Sequence, residues 1–194
     1  MKKLIGTNKI DTAIFISGSG TNLNNLIKFS LLKNFPININ LVISSDRNAK
    51  GIKYAKKFNI KHKIFLFKKK KKDEKKILLN LKKRKIKLIC LAGFLKILSK
   101  NFINNFNGKI LNIHPSLLPK YKGLNTHERA IKNKEKFSGC TVHYVNSRLD
   151  SGKIILQKKV KITKNDNPKS LEKKILREEY ILYPKAIKKV IFSL

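Results

Sequence analysis

The sequence predicts an α/β fold: a Rossmann-like, mostly parallel sheet with helices on both faces and antiparallel strands at one edge. Three observations carry that expectation. Apolar runs short enough for buried strands alternate with helical periodicities up to residue 113, the pattern of a sheet built from crossovers. A glycine-rich turn, Ser17-Gly-Ser-Gly-Thr-Asn22, joins the first such run to the first helical stretch. Beyond residue 139, two strand-like runs flank a polar turn, which adds a hairpin.

Taken in order, Thr12 to Ile16 has the length of a buried strand, and Leu23, Leu26, Ile27 and Leu31 have helical spacing. Strand, glycine turn and helix aim backbone N–H groups at an anion. Gly18 and Gly20 allow close approach, and Thr21 or Asn22 can cap the helix and donate to a phosphate. On these residues alone, a tight turn before a capped helix is an equal reading. A second strand spans 37–44, a short helix 51–58, and a third strand 62–67, with His62 as an edge residue. Lys68 to Lys72 reads as a solvated loop of like charges, and 73–85 as a helix through Ile77, Leu78 and Leu81. Ile86 to Leu91 is the fourth strand. Ala92-Gly-Phe94 at its end allows a flat ligand to approach the backbone, or is a simple turn with Phe94 in the core. A short helix covers 99–106.

The stretch Ile110-Leu-Asn-Ile-His-Pro-Ser-Leu-Leu-Pro-Lys-Tyr-Lys-Gly123 follows. Side chains two apart in a strand share a face, so Asn112 and His114 project together, opposite Leu111 and Ile113. Pro115 biases His114 away from helix and stops the ladder there. An amide and an imidazole thus stand side by side at a strand's C-terminal end, where open α/β sheets bind ligands. A helix near 126–134, strands at 139–145 and 154–162, and a last helix from Asn167 or Ser170 towards Ile191, with a kink at Pro184, complete the chain. Asp150 lies in the turn before Gly152, and by itself reads as turn chemistry. Strand ends after residues 16, 91 and 113 are expected to converge on one crevice.

A length of 194 residues suits a single domain, and the hydrophobic content of 41% is that of a globular chain. No apolar run approaches the ~20 residues of a membrane span, and the segment after Met1-Lys-Lys is too interrupted for a secretory signal. A cytoplasmic location follows. Cys90 and Cys140 read as buried thiols, and no spacing supports a metal site. The net charge of +35 attracts polyanions, but the excess is almost all lysine, with arginine only at Arg47, Arg84, Arg129, Arg148 and Arg177. Arginine is the better residue for bidentate reading of bases and phosphates. Non-specific polyanion binding is expected, and specific nucleic-acid recognition is not.

The string Asn112-Ile-His-Pro-Ser-Leu-Leu-Pro-Lys-Tyr121, with Asp150 after a later strand, resembles the 10-formyltetrahydrofolate-dependent formyltransferase family. Ser17 to Leu23, Ala92 to Leu98, Gly123 to His127, Leu149 to Gly152 and Tyr183-Pro184 favour its purine-pathway branch, which formylates glycinamide ribonucleotide. The resemblance implies one formyltransferase domain over 1–194, with a nucleotide/phosphate-binding half at about 10–110 and a catalytic, folate-binding half at about 110–194.

By that resemblance Asn112, His114 and Asp150 are the catalytic trio. The substrate amine attacks the formyl carbon, His114 and Asn112 stabilise the oxyanion, and protons pass through His114 and a water held by Asp150. Gly18, Ser19, Gly20, Thr21 and Asn22 bind the substrate phosphate. Glu179, otherwise a helix-surface charge, binds the glycinamide end. Phe94, Leu95, Lys96, Ile97, Leu98 and Asn112 hold the folate, with Ser116 and His143 in support. The co-substrate is 10-formyltetrahydrofolate, no metal takes part, and the protein is a monomer or homodimer. Lys122, Asn125 and Lys96 stand where relatives often carry Pro, His and Arg. Rival readings are methionyl-tRNA formyltransferase and formyltetrahydrofolate hydrolase, each expected to carry a further domain, and a lysine-rich RNA-binding protein on an inactive scaffold.

Overall fold

A computed structural model describes residues 9–192, so the signal-peptide expectation, which rests on the first eight residues, lies outside the described residues. The chain forms β1 (Ile10–Ile16), α1 (Thr21–Ser30), β2 (Ile37–Ser44), α2 (Ile52–Lys57) and β3 (His62–Ile64). It continues through α3 (Lys70–Lys83), β4 (Leu88–Leu91), α4 (Lys100–Asn105) and β5 (Lys109–His114). The remainder supplies α5 (Thr126–Lys132), β6 (Phe137–Tyr144), β7 (Ile154–Lys161) and α6 (Pro168–Phe192). The strands hydrogen-bond in the order β3-β2-β1-β4-β5-β6-β7. β1, β2, β3 and β4 pair in parallel, whereas β5 with β6 and β6 with β7 are antiparallel, as the sequence predicts. Two compact units divide between Ile110 and Leu111.

In the first unit, Ala13 to Ile16, Leu41 to Ile43 and Leu88 to Leu91 are buried without interruption. Continuous burial is what a parallel strand covered on both faces requires. The chain leaves β1 for β2 and β3 on one side, then crosses back through α3 to β4 on the other. Right-handed crossovers therefore put α1 and α2 on one face and α3 on the opposite face. The reversal of direction falls between β1 and β4, and such a switch point opens a crevice at the strands' C-terminal ends.

Three expectations are corrected here. The third strand ends at Ile64 rather than residue 67. Lys70, Lys71 and Lys72 belong to α3 rather than to a loop, because Ile77 and Leu81 are buried and Glu74, in the same face, is tied to α4. The Glu74 carboxylate accepts the Ser99 N–H (2.8 Å) and the Ser99 hydroxyl (2.6 Å), while Ser99 caps α4 by accepting from Phe102 N. Finally, neither Thr21 nor Asn22 caps α1; Gly20 holds the cap position in a left-handed conformation with no side-chain cap.

In the second unit, α6 packs on β6 and β7 and against α5. Its buried face, Leu171, Ile175, Glu179, Leu182, Tyr183, Ala186, Ile187 and Val190, follows helical spacing. The helix runs through Pro184 to Phe192. Tyr183 Oη donates to the Leu111 carbonyl (3.2 Å) and so anchors the helix to β5. β7 ends the sheet and carries exposed Lys158, Lys159 and Lys161, charges that discourage pairing with another edge.

Candidate active site

The second unit gathers Asn112, His114, His143 and Asp150. Antiparallel register sets Asn112 opposite His143 and His114 opposite Thr141. Asp150 reaches them from the β6–β7 turn, where its φ of 44° is a conformation that non-glycine residues adopt only when their surroundings hold it. His114 Nδ1 lies 3.5 Å from Asp150 Oδ2, and His143 Nε2 lies 3.6 Å from Asp150 Oδ1. Asn112 Nδ2 is 3.2 Å from His143 Nε2 and donates to Asp150 Oδ1 at 3.4 Å.

Backbone carbonyls decide the tautomers. His143 Nδ1 is 2.8 Å from the Tyr144 carbonyl, which can only accept, so Nδ1 carries the hydrogen and Nε2 receives the Asn112 amide. His114 Nε2 is 2.8 Å from the Tyr121 carbonyl, so its hydrogen sits on Nε2 and Nδ1 faces the Asp150 carboxylate. Burial lowers the His114 pKa, and the Tyr121 carbonyl and Asp150 only partly oppose it. Burial alone would raise Asp150, but His143 and His114, when their rings are charged, and the Gly123 N–H hold it below the usual carboxylate range. Near neutral pH the pair is therefore an ionised carboxylate beside a neutral imidazole whose Nδ1 is free of its own hydrogen.

The turn after β5 is fastened from beneath. Ser116, fully buried, donates its hydroxyl to the Lys120 carbonyl (2.6 Å), and Thr141 Oγ1 donates to the Ser116 carbonyl (2.6 Å). Ser116 thus shapes the loop that presents the Tyr121 carbonyl. The same loop supplies Gly123 N–H to Asp150 Oδ2 at 2.9 Å.

In the first unit, the glycine turn and the segment after β4 leave adjacent parallel strands. Ser17 N–H donates to the Gly93 carbonyl (3.0 Å), and Leu95 N–H donates to Ser17 Oγ (2.8 Å). Ser17 Oγ is also 2.6 Å from Ser45 Oγ, both side chains being buried. Phe94 is half-buried, edge-on to Phe15 (5.3 Å) and Phe67 (5.5 Å), so it anchors this segment to the core. Leu95, Lys96 and Ile97 are exposed and Leu98 is buried, which leaves an apolar strip beside the turn.

A family profile described as Formyl transferase matches residues 10–187. The chain belongs to the formyl transferase family. It is 43% identical over 179 residues to phosphoribosylglycinamide formyltransferase of Haemophilus influenzae, covering 91% of this chain and 84% of that protein. It is 38% identical over 185 residues to the human trifunctional purine biosynthetic protein adenosine-3, covering 94% of this chain but 18% of that protein. The crystal structure of phosphoribosylglycinamide formyltransferase from Brucella melitensis superposes with a TM-score of 0.89 at 39% identity, over 94% of this chain and 96% of that one.

Within this formyltransferase, Glu179 is buried in the face of α6 rather than on its surface, and burial, followed by the charge of Glu179, pushes the Cys140 thiol pKa up. Three contributors escape sequence reasoning. Gly51 approaches the glycine turn so closely that a Cβ on it would lie 2.7 Å from Ile16 Cδ1 and 2.8 Å from Gly20 Cα, and its N–H bonds the Gly18 carbonyl at 3.0 Å. Nothing local in Lys50-Gly-Ile52 signals that contact. The Tyr121 carbonyl is backbone and leaves no side-chain signature. His127, whose pKa burial lowers against the pull of Glu172, senses His114, and its Nδ1 is buried without a hydrogen-bond partner among the described residues. The resemblance draws on Gly123 to His127 but gives His127 no role of its own.

Proposed function

We propose that this chain transfers the formyl group of 10-formyltetrahydrofolate to the amine of phosphoribosylglycinamide, in purine biosynthesis and in the cytoplasm. The observation that carries the mechanism is the His114–Asp150 pair, with the imidazole hydrogen held on Nε2 and the carboxylate facing Nδ1. The amine lone pair forms a bond to the formyl carbon, and the carbonyl electrons move onto oxygen. The proton lost by the amine passes to His114 Nδ1, where Asp150 stabilises the imidazolium. The same proton is then delivered to N10 of the folate, so that the C–N10 bond breaks with tetrahydrofolate as leaving group and the formamide as product. Once Nδ1 holds that proton it donates to the oxyanion of the tetrahedral adduct, and the Asn112 amide joins it by turning one hydrogen away from its long 3.4 Å contact with Asp150 Oδ1.

Before the adduct forms, the Asn112 Nδ2 hydrogens point at His143 and Asp150 and hold the carboxylate in register. The turn Gly18 to Asn22 binds the phosphate: Gly20 brings the backbone close, and α1 presents first-turn N–H groups with no acidic residue and no side-chain cap among them. Leu95, Lys96 and Ile97 take the folate ring, and the buried Glu179 carboxylate takes the glycinamide end. The test is formyl transfer between the two named substrates by wild type and His114→Ala. Turnover that falls at least ~100-fold in the variant supports these roles. Wild-type rates in a folded His114→Ala protein would remove His114 from the mechanism.

A further inference from the structure

We infer that Arg129 and the Tyr121–Glu135 pair form a strap that selects which nitrogen of His114 acts as the base. The inference rests on the catalytic reading of His114 and Asp150 and concerns residues that touch neither reactant.

Residues 121 to 125 hold three backbone positions with positive φ: Tyr121 at 55°, Gly123 at 78° and Asn125 at 57°. For tyrosine the left-handed region costs about 1–2 kcal/mol, so the turn persists only because something outside it over-determines it. That support comes from α5 and the residues after it. The Arg129 guanidinium donates to the Lys122 carbonyl (2.7 Å) and the Leu124 carbonyl (3.3 Å), and stacks over the Tyr121 ring at 5.0 Å. Tyr121 Oη donates to Glu135 Oε1 (2.9 Å) and accepts from Asn133 Nδ2 (2.9 Å). Lys120 closes the set on the same Glu135 oxygen at 2.7 Å.

What the strap holds is the geometry of both catalytic partners. The Tyr121 carbonyl takes His114 Nε2–H, and Gly123 N–H takes Asp150 Oδ2. Arg129 grips the Lys122 carbonyl midway between them. If the Tyr121 carbonyl swings away, the nearest acceptor for the ring hydrogen is the Asp150 carboxylate beside Nδ1, at 3.5 Å. The neutral ring then carries its hydrogen on Nδ1, and the basic lone pair moves to Nε2, on the edge away from Asp150. A ring in the wrong tautomer keeps its place and loses its function. Arg129, Tyr121 and Glu135 are thus positioning residues.

The test uses the whole chain with 15N-labelled histidine, in which four ring systems are to be resolved. Long-range 1H–15N spectra above the titration of His114 read its tautomer directly. The wild type is expected as Nε2–H. In Arg129→Lys combined with Tyr121→Phe, an Nδ1–H population should appear and kcat should fall at least roughly tenfold, with both KM values within about twofold. Glu135→Ala, a surface change, should move the tautomer in the same direction and stands in if the double variant does not fold. A wild-type Nδ1–H ring, or folded variants that keep both the Nε2–H ring and wild-type kcat, would overturn the strap. Failure of the catalytic reading looks different: His114→Ala would keep full turnover whatever the tautomer spectra show.

Discussion

Replacing Asp150 by asparagine removes one charge and leaves the shape, and the structure says what that should do. Oδ2 accepts the Gly123 N–H at 2.9 Å, and Oδ1 accepts from Asn112 Nδ2 at 3.4 Å. An asparagine amide has one oxygen, so its NH2 must face one of those two donors, and the side chain cannot satisfy both. The larger loss is electrostatic. At 3.5 Å and an effective dielectric of about 20, a carboxylate and an imidazolium attract by roughly 5 kcal/mol. The amide dipole and local relaxation recover part of this. We expect about 3–4 kcal/mol to be missing when the proton sits on Nδ1, a fall in kcat of roughly 10²–10³-fold. The assay is steady-state formyl transfer with both substrates saturating, beside a thermal melt to show that the variant folds. A folded Asp150→Asn protein within about fivefold of wild-type kcat would refute the claim that Asp150 stabilises a charged His114.

Three further outcomes follow from the same geometry and from the glycine turn. Because burial lowers the His114 pKa, the acid limb of kcat should lie below the ordinary histidine value of ~6.5, and Asp150→Asn should move it lower still by removing a group that raises it. Folded-state values below the unfolded ones also mean that the unfolded chain binds more protons in acid. Melting temperature should therefore fall as pH drops below ~6.5 through His114, and again below ~4 through Asp150, and a flat pH–stability profile would contradict both assignments. Gly51→Ala forces a methyl to 2.8 Å from Gly20 Cα, so it should cost about 1–3 kcal/mol of stability and raise KM for the phosphate-bearing substrate more than KM for the folate. Equal changes in both constants would mean that Gly51 does not act through the phosphate turn.

Much of this was open to reading in the chain. The periodicity from β1 to β5 specifies a parallel sheet because burial on both faces leaves uninterrupted apolar runs such as Ala13 to Ile16. Asn112 and His114 declare themselves because a strand places alternate residues on one face. What stayed hidden depends on contacts distant in sequence. The start of α3 inside a lysine run follows from Glu74 meeting Ser99, which no local propensity encodes. The cap of α1 is Gly20, whose left-handed φ and contact with Gly51 leave no room for a side chain. The tautomer of His114 is written by a carbonyl, and carbonyls are the same at every residue.

The buried serine pair carries a consequence for ligand cooperativity. Ser17 opens the turn assigned to phosphate, and its hydroxyl holds the Leu95 amide in the strip assigned to folate, with Ser45 completing the contact. A ligand that shifts either segment pulls on that hydroxyl and on the Ser17 N–H bond to the Gly93 carbonyl. Coupling free energies are reciprocal, so whatever factor the phosphate substrate gains for the folate, the folate returns to the phosphate substrate unchanged. Ser17→Ala should cut that shared factor towards one for both reactants alike, and inhibitors that occupy only one segment would then lose their ability to sense what fills the other.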